Sequence, residues 1–312
     1  MIHDSAPYDL AIIGGGPAAV AAGVYAARKR LKTIFITKEW GGQSAVSTDI
    51  QNWIGTLSLS GVKLAENLKE HLKAYAGDSV TVREGVLVDA VEKAEQGFKV
   101  KAAGEVYEAK TVLITTGSHR RRLEASGADK FEHKGIVYCA SCDGPLFADM
   151  DVVVVGGGNA GFETAAQLLA YAKSVVLLHR KEEFKADPVT VKKVLSNPKM
   201  HAVLNAEILE VKGEQFVKAV IYKEKDTGNK VELPAQGIFV EIGSVPSTEL
   251  VAKLVARDQF GQIIVDPKNQ RTSVDGVWAA GDCTDGLYHQ NNIAAGDAVK
   301  ALEDIHMYLH TK

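Results

Sequence analysis

Leu10-Ala11-Ile12-Ile13-Gly14-Gly15-Gly16-Pro17-Ala18-Ala19 and, in the second half of the chain, Val152-Val153-Val154-Val155-Gly156-Gly157-Gly158-Asn159-Ala160-Gly161 are the stretches that decide the fold. Each is a short apolar run that breaks at a glycine turn and opens into a helix of small residues. The first loop reads GxGxxA and the second GxGxxG, the fingerprint of a βαβ dinucleotide site. In the first, Gly14 makes the tight turn, Gly16 lets backbone approach a pyrophosphate, and Ala19 permits close helix–strand packing. The free N–H groups of the following helix then favour phosphate.

Around each loop the pattern continues. Leu10 to Ile13 reads as a buried strand, Pro17 to Arg30 as a helix and Thr33 to Thr37 as a β-branched second strand. Asp151 to Arg180 repeats that plan, with strand Val152–Val155, helix Gly161–Ala172 and strand Ser174–Leu178. Between the two units, Gly61 to Tyr75 is helical, Val80 to Val91 and Phe98 to Val106 alternate as strands do, and Lys110 to Thr116 is a further strand. A charged connector follows, His119 to Lys134, containing Arg120-Arg121-Arg122, a solvated face or a dock for an acidic partner. Val203 to Val211, Val217 to Tyr222, Gly237 to Ile242 and Gly276 to Ala280 read as strands, and a helix starts near Ile293. The expected fold is α/β, with two Rossmann-like dinucleotide-binding domains, the second inserted in the first. The first, discontinuous domain is 1–120 with 246–312; the second is 121–245.

The chain has 312 residues, 46% of them hydrophobic and 24% charged, as in an ordinary globular protein. A net charge of −3 provides no positive field for nucleic acid or an anionic membrane. Leu10 to Ala27 carries no charge and has the length of a membrane span. Its glycines and Pro17 favour strand, turn and buried helix instead. The N-terminus, Met1-Ile2-His3-Asp4, has no basic n-region, so a cytoplasmic setting is expected.

Cysteine occurs three times, at Cys139, Cys142 and Cys283, too few and too odd for a secreted disulfide framework. Cys139-Ala140-Ser141-Cys142 is a CxxC pair, and no second CxxC or close His pair completes a zinc site. A redox dithiol at a helix start is the better reading than two buried thiols, because that position lowers one thiol's pKa. Asp143 beside it can carry the proton that thiol–disulfide exchange requires. Cys283 reads as a small packing residue beside a ligand, with a resolving thiol as the alternative. A dithiol with two dinucleotide sites points to an electron relay, from a nicotinamide through a flavin to a disulfide.

After the second βαβ unit, His179-Arg180-Lys181 stands where an acid would select NAD, and Lys185 follows. These cations suit the 2′-phosphate of NADPH. Gly161 and the nearby Glu182 and Glu183 favour NADH. In the first unit the corresponding acid is Glu39.

Gly14-Gly15-Gly16-Pro17-Ala18-Ala19, Gly41-Gly42-Gln43, Cys139-Ala140-Ser141-Cys142-Asp143-Gly144, Gly156 to Gly161, Gly281-Asp282-Cys283 and His289-Gln290 stand in the order found in low-molecular-weight thioredoxin reductases, which the chain resembles over nearly its whole length. It also resembles the C-terminal part of the flavoprotein subunit of alkyl hydroperoxide reductase. Asp143-Gly144-Pro145-Leu146-Phe147 and Phe184-Lys185-Ala186-Asp187 lean that way. The resemblance implies FAD in the first domain and NADPH, with NADH the alternative, in the second. FAD would be lined by Gly14, Gly16, Pro17, Ala18, Ala19, Thr37, Lys38, Glu39, Gly42, Gln43, Asn52, Val86, Thr115, Thr116, Gly117, Gly281, Asp282, His289, Gln290 and Asn291. The nicotinamide dinucleotide would meet Gly158, Asn159, Ala160, His179, Arg180, Lys181, Lys185 and Ile242. Cys142 would face the flavin, Cys139 would attack the partner's disulfide, and Asp143 would act as acid. The implied activity is that of an NADPH-dependent thioredoxin-disulfide reductase, a homodimer whose partner is thioredoxin or a thioredoxin-like protein. Other readings are an NADH-dependent reductase feeding a peroxiredoxin, a ferredoxin-driven reductase, and a flavin redox sensor. The chain departs from the family at His289, where an Arg or Lys is usual, and at Ala125-Ser126-Gly127, which replaces Pro-Gly-Glu.

Overall fold

The computed structural model describes residues 6–47 and 49–311. Met1 to Asp4, read above for targeting, lies outside them. The chain divides into two compact units: residues through His119 together with those from Val245 onward, and Arg120–Ser244.

In chain order the first unit begins with β1 (Tyr8–Ile13), α1 (Pro17–Arg28), β2 (Thr33–Thr37), α2 (Gly61–Ala76), β3 (Val80–Glu84), β4 (Val88–Lys93), β5 (Phe98–Ala102), β6 (Glu105–Ile114) and β7 (Ser118–Arg120). The second unit holds β8 (Ile136–Val137), α3 (Ala140–Asp143), β9 (Asp151–Val155), α4 (Asn159–Leu168), β10 (Ser174–Leu178), α5 (Pro188–Leu195), β11 (Met200–Val203), β12 (Ala206–Gly213), β13 (Val217–Glu224), β14 (Lys230–Pro234) and β15 (Gly237–Val240). The chain ends with β16 (Ser244–Pro246), β17 (Val277–Ala279) and α6 (Asn291–Thr311). β7 and β16 pair as a two-stranded ribbon.

The first unit is built on a seven-stranded sheet of order β3-β2-β1-β6-β5-β4, with β17 also on β6. β3, β2, β1, β6 and β17 run parallel. β4 and β5 pair antiparallel on the N-terminal half of β6. β1 is buried on both faces, as a parallel-sheet strand must be. Leu10 and Ile12 pack with Phe35, Leu113 and Trp278 under α1, α2 and α6. Ala11 and Ile13 pack on the opposite side with Ile34, Ile36, Val100 and Ile114.

The second unit carries a parallel five-stranded sheet, β11-β10-β9-β15-β8. Val152 and Val154 of β9 face α4 with Phe162, Ala165 and Phe239. Val153 and Val155 face the antiparallel sheet β12-β13-β14, with Val211 and Val220. In each sheet the strand order reverses at the strand bearing the glycine loop: β1 lies between β2 and β6, and β9 between β10 and β15. The crevice at such a switch point is where open α/β sheets take ligands.

Several sequence expectations are corrected. Val80–Val91 is two strands: β3 joins the parallel core, the chain turns at Gly85, and β4 joins the antiparallel edge. Val203–Val211 likewise splits at Asn205, whose φ is +54°, so β11 and β12 belong to different sheets. Phe98–Val106 turns back at Ala103-Gly104, and β6 begins at Glu105 rather than Lys110. α1 stops at Arg28, and α4 runs from Asn159 to Leu168 rather than from Gly161 to Ala172. α5 and β14 carried no periodicity strong enough to be read. Leu10 to Ala27 is divided among β1, the turn and α1; among the described residues no helix is long and apolar enough to cross a membrane.

Phe239, fully buried, packs edge-on to Phe147 with ring centroids 5.2 Å apart. Replacing it by Ala removes most of that ring contact beneath α4. The Phe239→Ala variant is expected to lose about 3–5 kcal/mol in urea unfolding; a loss below about 1 kcal/mol would show that the core collapses around the cavity.

Candidate functional site

Both glycine loops follow one plan. Gly14 donates its N–H to Ile36 O at 3.0 Å and has φ +137°. Gly156 donates to Leu178 O at 3.0 Å and has φ +126°. A Cβ on Gly14 would stand 2.3 Å from Thr115 O, and one on Gly156 2.2 Å from Glu241 O. Only glycine admits that approach of loop to neighbouring strand.

In the first unit the residues named for a flavin converge at the C-terminal ends of β1, β2, β6 and β17. The Gly16 backbone lies against that of Gly42, where a Cβ would stand 3.5 Å from the Gly16 Cα. Pro17, Ala18 and Ala19 begin α1. Gly281 adjoins Ala18 and Ala294, with Cβ-to-Cβ distances of 3.4 and 3.2 Å for a side chain placed there. Thr37 donates its hydroxyl to Glu39 O at 2.6 Å and its carbonyl accepts Val86 N–H at 3.1 Å. Lys38 and Glu39 are exposed at that strand end. Thr115 bonds back to Ile13 O at 2.8 Å and Thr116 to Ser247 O at 2.7 Å, with Gly117 next. Gln43 Nε2 reaches Ser118 Oγ at 3.2 Å and Asp282 Oδ2 at 3.4 Å. Asn52 donates to Gln290 Oε1 at 3.1 Å, and Ser44 to Asn291 Oδ1 at 2.9 Å. Nε2 of His289 is buried with no hydrogen-bond partner among the described residues, a polar atom that a ligand would satisfy. Cys283 is fully buried, its thiol raised to about 11 by burial and donating toward Ala280 O at 3.4 Å. That is a packing residue, not a resolving thiol.

In the second unit, Gly158, Asn159 and Ala160 open α4, and a Cβ on Gly158 would meet nothing within 4 Å. The turn from His179 to Asp187 is fastened to this loop. Gly157 donates its N–H to His179 Nδ1 at 3.0 Å, Lys185 N–H donates to Gly157 O at 2.8 Å, and Asp187 N–H to Asn159 Oδ1 at 2.8 Å. Because Nδ1 accepts, the proton sits on Nε2 and is given to Glu183 O at 3.0 Å. His179 is thus a neutral clamp with both nitrogens used; burial, with Arg180, Lys181 and Lys185 nearby, holds its pKa down. Arg180, Lys181 and Lys185 are exposed, and Ile242 is partly exposed beyond β15. Arg120 is not a solvated residue as expected: it lies 3.7 Å from the buried carboxylate of Glu241, while Arg121 and Arg122 are exposed. Glu241 was missed by the sequence reading, though a charge closing the apolar run Gly-Ile-Phe-Val was a signal.

Cys139 and Cys142 form a disulfide around α3. Cys139 caps that turn, its Sγ accepting Cys142 N–H at 3.2 Å. Asp143 is half-buried beside them, and burial raises its carboxyl from 3.8 to about 6. Among the described residues no group of three or more His, Cys, Asp or Glu is placed to hold a metal.

The profile of the pyridine nucleotide-disulphide oxidoreductase family matches residues 8–298. A protein of Bacillus subtilis named NADH dehydrogenase is 39% identical over 298 residues, 96% of this chain and 58% of that protein. An alkyl hydroperoxide reductase subunit of Escherichia coli is 38% identical over 297 residues, 94% of this chain and 57% of that one. The chain therefore spans little more than half the length of these relatives. Among solved structures, thioredoxin reductase from Streptococcus pyogenes superposes with a TM-score of 0.91 at 33% identity, covering 98% of this chain and 99% of that one. The thioredoxin reductase of Giardia duodenalis gives 0.92 at 32% identity, covering 98% and 100%.

The raised Asp143 carboxyl leaves a pH signature. Its folded pKa of about 6 exceeds the unfolded 3.8, so the stability it contributes is full below pH 3.8 and lost as pH rises through 6. Asp143→Asn should therefore gain urea stability relative to wild type between those pH values and hold a constant lead above them. A difference that does not change with pH would show that the carboxyl titrates normally.

Proposed function

The chain belongs to the pyridine nucleotide-disulphide oxidoreductase family, and we propose that it is a flavoprotein disulfide reductase carrying electrons from NADPH to the Cys139–Cys142 disulfide and on to thioredoxin or a thioredoxin-like protein. The observation that carries this reading is the disulfide itself: a two-residue-spaced pair beside a carboxyl of raised pKa, in a chain with two switch-point glycine loops.

FAD fits the first site. Gly16 stands at the start of α1, whose free N–H groups favour a pyrophosphate, and the buried His289 Nε2 and the Gln43–Asp282 pair offer polar partners. When bound, FAD supplies a two-electron redox centre; the protein's own residues do the rest. Reduction of the disulfide takes two electrons and one proton, leaving one thiol and one thiolate. Asp143, poised near pH 6, can hold or release that proton. The Cys142 N–H aimed at Cys139 Sγ favours the thiolate there. That thiolate attacks the partner's disulfide, one partner sulfur leaves, and a mixed disulfide forms. Cys142 then loses its proton and attacks Cys139 Sγ, re-forming the intramolecular disulfide and releasing the partner as one thiol and one thiolate, which takes its second proton from water.

Arg180, Lys181 and Lys185, exposed around the end of β10, offer the cations a 2′-phosphate needs. A second reading, NADH as donor, is favoured by Glu182 and Glu183 in the same turn and by the name of the Bacillus relative.

Cys139→Ser should leave flavin bleaching by NADPH intact in anaerobic stopped flow while abolishing thioredoxin reduction. Turnover of thioredoxin by that variant would overturn the assignment. In the same apparatus NADPH should bleach the flavin at least about tenfold faster than NADH at equal concentration, the discrimination of one good ionic contact; the reverse order would establish NADH as the donor.

A further inference from the structure

The equivalence of the two loops extends to the strands beside them. Thr115 follows β6, donates its N–H to Ile13 O at 2.9 Å and presents its carbonyl to Gly14. Glu241 follows β15, donates its N–H to Val155 O at 2.8 Å and presents its carbonyl to Gly156. Thr115-Thr116-Gly117 and Glu241-Ile242-Gly243 therefore correspond position by position, each on the far side of its switch point from the second strand of the βαβ unit.

Where the first unit has a threonine hydroxyl, the second has a carboxylate. Phe239, two residues earlier on the same face, packs under α4 with Phe162, and Glu241 continues that row at the open end of the sheet. Its side chain is only 6% exposed. Oε1 accepts the Thr164 hydroxyl from α4 at 2.8 Å. Arg120 Nη1 stands 3.7 Å from Oε2, within ion-pair range but beyond a direct hydrogen bond. Burial pushes the Glu241 carboxyl up, opposed by Thr164 and Arg120. A buried carboxylate is costly to keep, and such groups concentrate where a ligand is met.

The direction of a bound dinucleotide follows from the topology. A pyrophosphate at the start of α4 lies over β9. The turn after β10, with Arg180, Lys181 and Lys185, takes the adenosine ribose. The other half must then extend toward β15, where Glu241 stands. We propose that Glu241 binds the nicotinamide half of the dinucleotide, its Oε2 accepting a hydrogen bond from a ribose hydroxyl or the carboxamide N–H, with Thr164 and Arg120 holding the carboxylate in place. This rests on the reading of Arg120–Ser244 as the nicotinamide dinucleotide unit.

The test is calorimetric titration of FAD-loaded wild type, Glu241→Ala and Glu241→Gln with two probe pairs: NADP⁺ against adenosine 2′,5′-bisphosphate, and NAD⁺ against ADP. A hydrogen bond to a charged acceptor corresponds to about a tenfold change in Kd. Glu241→Ala should weaken the preferred dinucleotide by about that factor and leave its adenosine fragment within about twofold. Glu241→Gln keeps an acceptor oxygen and should fall between wild type and Ala. Far-ultraviolet circular dichroism confirms that the compared variants are folded; if Ala does not fold, Gln alone carries the test, with a loss confined to the dinucleotide expected. Equal weakening of dinucleotide and fragment would make Glu241 a scaffold residue and overturn the inference, as would unchanged affinity for both. A wild type that binds the fragment but gains nothing from the full dinucleotide overturns it as well, while one that binds neither removes the reading of the second unit on which it stands.

Discussion

A carbonyl oxygen 2.3 Å from where a Cβ on Gly14 would stand, and its counterpart 2.2 Å from one on Gly156, are the contacts on which both units depend. Each lets the loop leaving the central strand fold over the end of the strand beside it, at the point where sheet order reverses. Without that approach the following helix could not begin over the strand ends with its free N–H groups facing the crevice. The rest of each unit is arranged around it: apolar strands buried on both faces, helices on one side and an antiparallel layer on the other.

On this shared frame the two units carry different chemistry. The crevice of the first is lined mainly by amides and hydroxyls, with Gln43 bonded to Asp282, Ser44 to Asn291 and Asn52 to Gln290. That of the second carries formal charge, with exposed cations after β10 and a buried carboxylate after β15. The difference is one of electrostatics rather than topology. Amides and hydroxyls orient a flat, neutral ring system, while separated charges suit a ligand with phosphates at one end and a cation-forming ring at the other. The CxxC segment adds a third device, a carboxyl raised to about 6 by burial next to the Cys139–Cys142 disulfide.

Much of this was legible in the residues. Leu10–Ile13 and Val152–Val155, their glycine loops and the strands Thr33–Thr37 and Ser174–Leu178 stand where apolar periodicity and turn chemistry place them. Such signals are local, and a strand buried on both faces announces itself as an unbroken apolar run. The alternating segments were harder. Val80–Val91 and Val203–Val211 read as single strands because alternation continues across Gly85 and Asn205, and which sheet each half joins is settled by partners far away in sequence. α5 and β14 lie mostly at the surface, where no buried stripe is needed.

The sequence by itself determined that there are two βαβ units, that each has a glycine loop in the dinucleotide position, and that one CxxC pair lies ahead of the second, because spacing along the chain is sufficient for all three. Only the tertiary structure decided what the side chains around them do. His179, one of a run of basic residues in the sequence, is a neutral clamp because Gly157 and Glu183 occupy both its nitrogens. Arg120, one of three arginines in a row, is half-buried because Glu241 is folded against it. The Asp143 carboxyl is raised to about 6 because the fold buries it away from water. Protonation and hydrogen-bond capacity depend on burial, and burial is a property of the packed fold rather than of any stretch of residues.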